Sequence, residues 1–416
     1  MDQTVPDTVK RLIEKGVVIP GPLSVQIGDE VDPGQIAEGV TIYPGCRIYG
    51  KKTLIMSGSK LGAESPATIQ DCQIGPDVEL KGGYFKKSVF LAGSNMAYGA
   101  HVRDACILEE EAGGAHTVGL KQTILLPFVT LGSLINFCDC MMSGGTSRKD
   151  HSEVGSSYIH FNYTPNQDKA TPSLIGDVPR GVMLNQRPVF LGGQGGMVGP
   201  AKIGFGTVIA AGTVFRGSMH EDAKIVYGQE PSSKVRDFNP GIYWEIDTKV
   251  RNNITYIANL IALKAWYRHV RFLFCSPDTM EQGLLDGAVE KLDMALDERI
   301  KRFRALAKKM PESILQYTSL MKDTASKDLI SRKQGLSDNW KQAESVFDSL
   351  KTSSGDDMLR DTFLSSIDKE IGQRKTPYIE TIQALGKDTR STGTKWLQAI
   401  VDEVNSKIFE KLPMFG

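Results

Sequence analysis

The chain has 416 residues, of which 24% are charged, and its 49 basic and 49 acidic side chains give a formal charge of zero. This length suits two or three domains, and the balanced charge argues against a nucleic-acid scaffold or a membrane-surface protein, which usually carry surplus Lys and Arg. The sequence has no apolar run of about 18 residues to span a membrane and no Cys-x-x-Cys pair among its six cysteines, so we expect a cytoplasmic protein with reduced thiols.

The composition of the chain divides it into three parts. Residues 1–25 are charged and amphipathic, which predicts a helical segment and not a signal peptide. Up to Pro240 the sequence is rich in Gly, Val and Ile, whereas Lys, Asp, Glu, Leu and Ala dominate after it. We therefore predict a β-rich domain over 26–239 and an α-helical domain over 240–416.

Apolar side chains recur every six residues in the β-rich part. A period of six fits neither an α-helix nor an uninterrupted strand, but it fits a short strand and a turn repeated as the sides of a prism. The large apolar side chains would fill the axis, and successive coils would cover one another's edges. The pattern predicts a left-handed parallel β-helix of hexapeptide repeats, an exception to the usual right-handed crossover. The longest series is Leu191, Met197, Ile203, Ile209 and Phe215, and the spacing also appears at Ile36, Ile42 and Ile48 and at Ile74 and Leu80.

The six-residue spacing is interrupted over 81–117, 136–153 and 162–190. We interpret these segments as loops that leave the prism, and loops on a rigid scaffold commonly carry function. One of them contains "GGTSRKDHS" (144–152), in which glycines accompany Arg148 and Lys149. This composition fits an anion-binding turn or a solvated turn, and the sequence leaves both open.

Two stretches, "EVGSSYIHFNYTPNQDKATPSLIGD" (153–177) and "VFLGGQGGMVGPAKIGFGTVIAAGTV" (189–214), carry a family resemblance. They resemble the acetyltransferase half of the bifunctional N-acetylglucosamine-1-phosphate uridyltransferase and glucosamine-1-phosphate acetyltransferase family, over residues 130–217. The matching features are Asn162-Tyr163, a following Lys169, the Ile-Gly-Asp run ending at Asp177, and the coil over 204–212. The resemblance implies a trimeric left-handed β-helix that transfers acetyl from acetyl-CoA to a sugar phosphate between subunits.

The same resemblance implies roles for individual residues. Asn162 and Tyr163 would hydrogen-bond the substrate, and Lys169 would meet its phosphate as a point charge. Ala210 would lie where the main chain meets coenzyme A. Arg180 and Arg187, from the largely additional segment 177–188, would add charge near the phosphate.

Two parts of the family pattern are missing. No nucleotide loop of the uridyltransferase half precedes residue 26, and Asn136 or Phe137 stands where the family has its catalytic His. Acetyl transfer to an amine needs a proton acceptor, a role that suits histidine. The candidate bases are His151, before the Asn-Tyr loop, and His116 in "GGAHTVGL".

Other histidines suggest no catalytic or metal site. His160 falls on an inward hexapeptide position and is predicted to be a core or interface side chain. No two histidines have the five-residue separation of the zinc-binding γ-class carbonic anhydrases, so we expect no metal site and no permanently bound cofactor.

The region after Pro240 has apolar residues at helical spacing, such as Ile254, Ile257 and Ile261, and predicts a bundle or hairpin of helices. We interpret it as an oligomerisation or partner-binding domain. The whole sequence predicts an acyltransferase-like homotrimer that acts on or binds a sugar phosphate or nucleotide sugar, without nucleic-acid or membrane partners. The alternative is a non-catalytic nucleotide-sugar-binding or assembly scaffold. The missing family His favours the alternative, and the polar loop favours the enzyme.

Overall fold

The structure is a computed structural model that describes residues 4–228, 235, 237–276, 279–374 and 376–416. Its strands, numbered β1 to β28 along the chain, are short and pair in parallel, apart from one hairpin. They wind into a solenoid of about 11 turns, with an α-helical region after it. The predicted left-handed β-helix followed by helices is confirmed.

The solenoid is a prism with three faces. The first face consists of β1 (Gln26–Ile27), β3 (Arg47–Tyr49), β6 (Ala67–Gln70), the start of β9 (Gly83–Phe90), the start of β11 (Ala100–Leu108), β13 (Val118–Lys121), β16 (Ile135–Cys138), β21 (Ile159–Phe161), β24 (Gly196–Val198) and β27 (Val214–Arg216). The second face consists of β2 (Thr41–Ile42), β5 (Lys60–Leu61), β8 (Glu79–Leu80), β10 (Asn95–Met96), β12 (Gly113–Gly114), β15 (Thr130–Leu131), β20 (Glu153–Val154), β23 (Phe190–Leu191), β26 (Val208–Ile209) and β28 (Ile225–Val226).

The third face consists of β4 (Leu54–Ile55), β7 (Gln73–Ile74), the ends of β9 and β11, β14 (Ile124–Leu125), β17 (Cys140–Met142), β22 (Ser173–Ile175) and β25 (Lys202–Ile203). The antiparallel hairpin of β18 (Gly145–Ser147) and β19 (Asp150–His151) projects from the prism.

The six-residue spacing places one side chain of most strands on the axis, and these side chains are mostly apolar. Ile203 and Ile209 are fully buried there, and Met197 pairs with Phe215 of the next coil. Corners between faces require left-handed main-chain conformations, which even Leu134 (φ 59°) and Ser157 (φ 62°) adopt. Because parallel neighbours satisfy the main-chain groups of each strand, the stack of coils holds these corners in place.

The helices are α1 (Asp7–Glu14), α2 (Val178–Gly181), α3 (Ile246–His269), α4 (Met280–Lys308), α5 (Met310–Met321), α6 (Lys327–Leu350), α7 (Asp357–Arg374), α8 (Tyr378–Ala384) and α9 (Lys387–Lys411). Helix α1 buries Val9 and Leu12 in the same apolar cluster as the axis and so covers its first coils. No helix in the described ranges is long and apolar enough to cross a membrane. The six cysteines are unpaired.

The C-terminal helices lie on the third face of the prism. Outward side chains of that face, including Val89, Ile107 and Ile124, belong to one buried apolar cluster with α3 and α4. The strands of this face are apolar on both sides because one side faces the axis and the other faces the helices. Burying each outward side chain stabilises the fold by about 1.5–3 kcal/mol. The sequence predicts helices after Pro240 but does not reveal this intramolecular role for them.

Two buried ion pairs also join the solenoid to the helices. Arg299 of α4 lies 2.7 Å from the carboxylate of Asp139, and Arg271 forms a two-pronged pair with Glu110. Beside the second pair, Tyr267 donates a hydrogen bond to buried Glu109, and burial raises the pKa of that carboxyl to about 7. These contacts fix where the helices sit along the prism.

Candidate functional site

The predicted site residues leave the solenoid at its corners. The chain visits the faces in the order third, second, first, so a loop after β17 leaves at the corner between the third and second faces. The loop after β21 leaves at the corner between the first and third faces. The covered third face therefore has one polar loop along each of its edges.

The Asn-Tyr loop, residues 162–172, forms the first–third corner. Tyr163 exposes 56% of its surface, and the Lys169 ammonium lies 5.8 Å from the centre of its ring. Asn162 instead turns inward and donates a side-chain hydrogen bond to Asp139. An accessible aromatic ring next to a cation can contact both a sugar and a phosphate.

The helical domain holds this loop in place. Lys309 donates to the carbonyl oxygen of Asn166 at 2.7 Å, and Asn253 donates to that of Ala170 at 3.0 Å. Lys249 lies 3.5 Å from the carboxylate of Asp168. Polar contacts from α3 and from the residue after α4 thus fix the loop main chain and leave the Tyr163 ring exposed.

The hairpin at the third–second corner carries three of the predicted residues. Arg148 donates to the carbonyl oxygen of Glu111 at 2.8 Å and to the Thr130 hydroxyl at 2.9 Å, and Lys149 is exposed. His151 Nδ1 donates to the Arg148 carbonyl oxygen at 2.9 Å. In the neutral ring this tautomer leaves the Nε2 lone pair able to accept a proton, and the Glu153 carboxylate lies 3.8 Å from Nε2.

The additional segment 177–188 leaves at the same corner. Arg180 pairs with Asp177 at 2.7 Å and with Asp222 at 2.5 Å, and it lies over the Phe205 ring. Two carboxylates therefore balance its charge already. Arg187 is exposed and has no acidic partner among the described residues.

The remaining predicted residues lie elsewhere. His116 lies at the corner between the second and first faces, where its Nδ1 is 3.0 Å from the Ser133 hydroxyl and its ring stacks on Tyr98. Ala210 follows β26 on the second face. Within the chain, the structure therefore distributes the predicted residues over three corners and one face.

His160 lies on the axis, as its hexapeptide position predicts. Its Nδ1 donates to the Cys138 carbonyl oxygen at 2.6 Å, and its Nε2 accepts from the Ser173 hydroxyl at 2.8 Å. Burial lowers the pKa of this imidazole to about 4, so it is neutral at pH 7. His160 has no free lone pair and is unsuited to act as a base.

Two residues that organise the Asn-Tyr loop, Asp139 and Arg299, are not among the predicted site residues. Asp139 accepts hydrogen bonds from both Asn162 and Arg299, and both members of the ion pair are buried. Asp139 adopts a left-handed main-chain conformation (φ 60°), which Asp tolerates better than most residues. Its sequence context, "CDC", offered a weak signal, and Arg299 offered none. No group of three or more His, Cys, Asp or Glu side chains in the described ranges is arranged to hold a metal.

No family model matches the chain. The bifunctional protein GlmU of Thermotoga maritima is 25% identical over 206 residues, which are 50% of this chain and 41% of that protein. GlmU of Thermoanaerobacter pseudethanolicus is 27% identical over 235 residues, 54% of this chain and 44% of that protein. The chain is similar to GlmU proteins. It spans less than half of their length in these comparisons.

The chain also resembles solved structures, among them an acyltransferase and LpxA. UDP-N-acetylglucosamine acyltransferase from Campylobacter jejuni is 12% identical, with a TM-score of 0.21, and covers 68% of this chain and 93% of its own. LpxA from Acinetobacter baumannii is 12% identical, with a TM-score of 0.18, and its match covers 68% of this chain and 95% of the LpxA chain. Superpositions this poor carry no argument about function.

Proposed function

We propose that this chain is an acyltransferase-like protein that binds a sugar phosphate or a nucleotide sugar between subunits of a homotrimer. The similarity of about half of the chain to GlmU proteins carries the proposal. The position of the two polar loops, at the same level along the prism, indicates where the ligand would lie.

The helical domain limits how a trimer can form. The described helices α3 and α4 cover the third face and not the first or the second, and these two faces meet at the corner that carries His116. With that corner on a three-fold axis, the first face of one subunit lies against the second face of the next. Exposed apolar side chains on both faces, Ile159 and Phe161 on the first and Phe190 on the second, support this contact.

This arrangement would join the two polar loops. The outer edge of the first face carries Tyr163 and Lys169, and the outer edge of the second face carries Arg148 and His151. Residues separated within one subunit would then face each other across the contact. In this geometry His116 lies near the axis, far from both outer edges.

The proposed chemistry uses these groups in three roles. The Tyr163 ring contacts the sugar, and Lys169 and Arg148 neutralise its phosphate. The substrate amine attacks the thioester carbonyl of acetyl-CoA, held near Ala210. A C–N bond forms, the C–S bond breaks with the thiolate of coenzyme A as leaving group, and His151 Nε2 accepts the amine proton.

The second candidate function is a binding or assembly scaffold of the same architecture without turnover. Its supporting observation is that neither counterpart of the family His is a base, since Asn136 carries an amide and Phe137 a buried aromatic ring, while His160 is neutral and fully hydrogen-bonded. The two functions share the ligand site and differ only in whether a base is present.

The test is a binding screen of coenzyme A thioesters, UDP-sugars and hexosamine phosphates by thermal shift, followed by a turnover assay. Lys169→Ala should weaken ligand binding about tenfold, as removal of a charged hydrogen bond does, and Tyr163→Phe should weaken it less. His151→Ala should abolish turnover and leave binding unchanged. Lys10→Ala, on the exposed surface of α1, is the control and should do neither.

Co-expression of the variant without turnover and the variant with weakened binding tests the shared site, at a substrate concentration far below saturation of Lys169→Ala. In mixed trimers of His151→Ala and Lys169→Ala chains, some interfaces combine an intact Lys169 with an intact His151 of the next subunit. Recovered turnover would support the interface site. If the mixture stays inactive, the groups do not act across a contact, and binding without turnover in the parent protein would establish the scaffold function.

A further inference from the structure

A polar cleft lies where the apolar part of the third face ends. The outward side chain of Leu174 is buried under the helices, and its partner in the next coil is Lys202. Beyond this change from Leu174 to Lys202, a cavity of about 440 Å³ lies between the last coils, the first turns of α3 and the end of α9. Its polar lining includes Lys202, Ser218, His220, Thr248, Thr255 and Asn405.

Several groups in this cleft lack a partner within the described part of the protein. The Lys202 ammonium has no acidic side chain within ion-pair distance there. The Ser218 oxygen accepts from the Lys202 main-chain N–H at 3.0 Å and from the Asn252 amide at 3.2 Å, so its own proton remains available to donate. Asn405 Oδ1 is buried and accepts no hydrogen bond. An uncompensated buried acceptor is costly, which favours a ligand that supplies a donor.

The charges around the cleft are positive in sum. Arg251 lies 3.0 Å from Asp247, and Arg332 of α6 contacts both that carboxylate and Asp328, so the two arginines are balanced and the Lys202 ammonium carries the surplus positive charge. Burial and the nearby Lys202 ammonium both lower the pKa of His220. A positive cleft with several donors favours an anion with many acceptor oxygens.

We infer that this cleft binds an organic phosphate. Lys202 faces the anionic oxygens, the hydroxyls of Ser218, Thr248 and Thr255 donate to them, and Asn405 Oδ1 accepts from a hydroxyl of the organic part. A phosphate uses this set of donors more fully than a carboxylate because it presents three oxygens. The cleft is separate from the Asn-Tyr loop, and the inference does not rest on the proposed transfer reaction.

The experiment compares the binding of glucose 1-phosphate, inorganic phosphate and glucose by calorimetry at one ionic strength set with chloride. We expect glucose 1-phosphate to bind most tightly and glucose not to bind. Lys202→Gln should weaken the binding of glucose 1-phosphate about tenfold or more, and Ser218→Ala should weaken it by a smaller factor. The matched control is Lys224→Gln, because Lys224 is paired with Glu221 at 2.6 Å and does not line the cleft.

Two results would overturn the inference. The first is that Lys202→Gln, with an unchanged melting temperature, binds glucose 1-phosphate as tightly as the parent does. The second is that inorganic phosphate binds as tightly as glucose 1-phosphate. Lys169→Ala separates this site from the loop described above. Binding that Lys202→Gln weakens should survive Lys169→Ala, whatever the outcome for acyl transfer.

Discussion

Replacing Arg299 with methionine is expected to destabilise the chain by about 3–5 kcal/mol, because the change leaves a buried carboxylate unpaired. The Arg299 and Asp139 side chains are only 2% and 5% exposed. Asp139 would keep its hydrogen bond from Asn162 but lose the charge that balances it. The Asn-Tyr loop should loosen with it, because Arg299 also donates to the Lys169 carbonyl oxygen at 3.5 Å.

The measurement is urea-induced unfolding followed by circular dichroism, together with hydrogen exchange over residues 162–172. Arg304→Met is the matched control in the same helix, because Arg304 is 45% exposed beside Glu344 and its loss should cost about 0–1 kcal/mol. Adding Asp139→Asn to Arg299→Met should recover part of the stability, since the unpaired charge is then gone. If Arg299→Met costs no more than Arg304→Met, the buried pair does not hold the helices and the loop together.

Light scattering should give a mass three times the 45.6 kDa of one chain. Phe161→Asp should reduce this mass, whereas Leu315→Asp, at an exposed position of α5, should not. A monomeric parent would contradict the interface site. For His160, the folded pKa of about 4 lies below the unfolded value of about 6.5, so its stabilising contribution is present above pH 6.5 and is lost as the pH falls towards 4. The stability of His160→Gln should therefore fall less than that of the parent between pH 7 and pH 5 in urea titrations, and equal slopes would refute the neutral buried imidazole.

The solenoid was predictable because its repeat depends only on residues that are close in the sequence. A repeat of six residues fixes which side chain of each short strand points inward, so Ile203, Ile209 and even His160 could be placed on the axis without knowledge of any distant contact. The coil-to-coil pairing then follows from the repeat itself.

The covering of the third face and the organisation of the loop were not predictable in this way. Val89, Ile107 and Ile124 are apolar and point outward, but a six-residue pattern does not say what covers them. Arg299 lies 160 positions from Asp139, a separation that no motif spacing encodes. Most of the candidate site residues lie between Arg148 and Arg187, but the prism sends them to different corners, so closeness in sequence was a poor guide to closeness in space.

The helices that cover the third face lie after the solenoid in the chain, and this order matters during synthesis. The ribosome releases the N-terminal coils first, and neighbouring coils can stack as they emerge. Until α3 and α4 follow, a long stripe of aliphatic side chains that includes Val89, Ile107 and Ile124 faces the solvent. During synthesis, a prism that forms before the helices emerge therefore exposes one apolar face, which is prone to aggregation until α3 and α4 cover it.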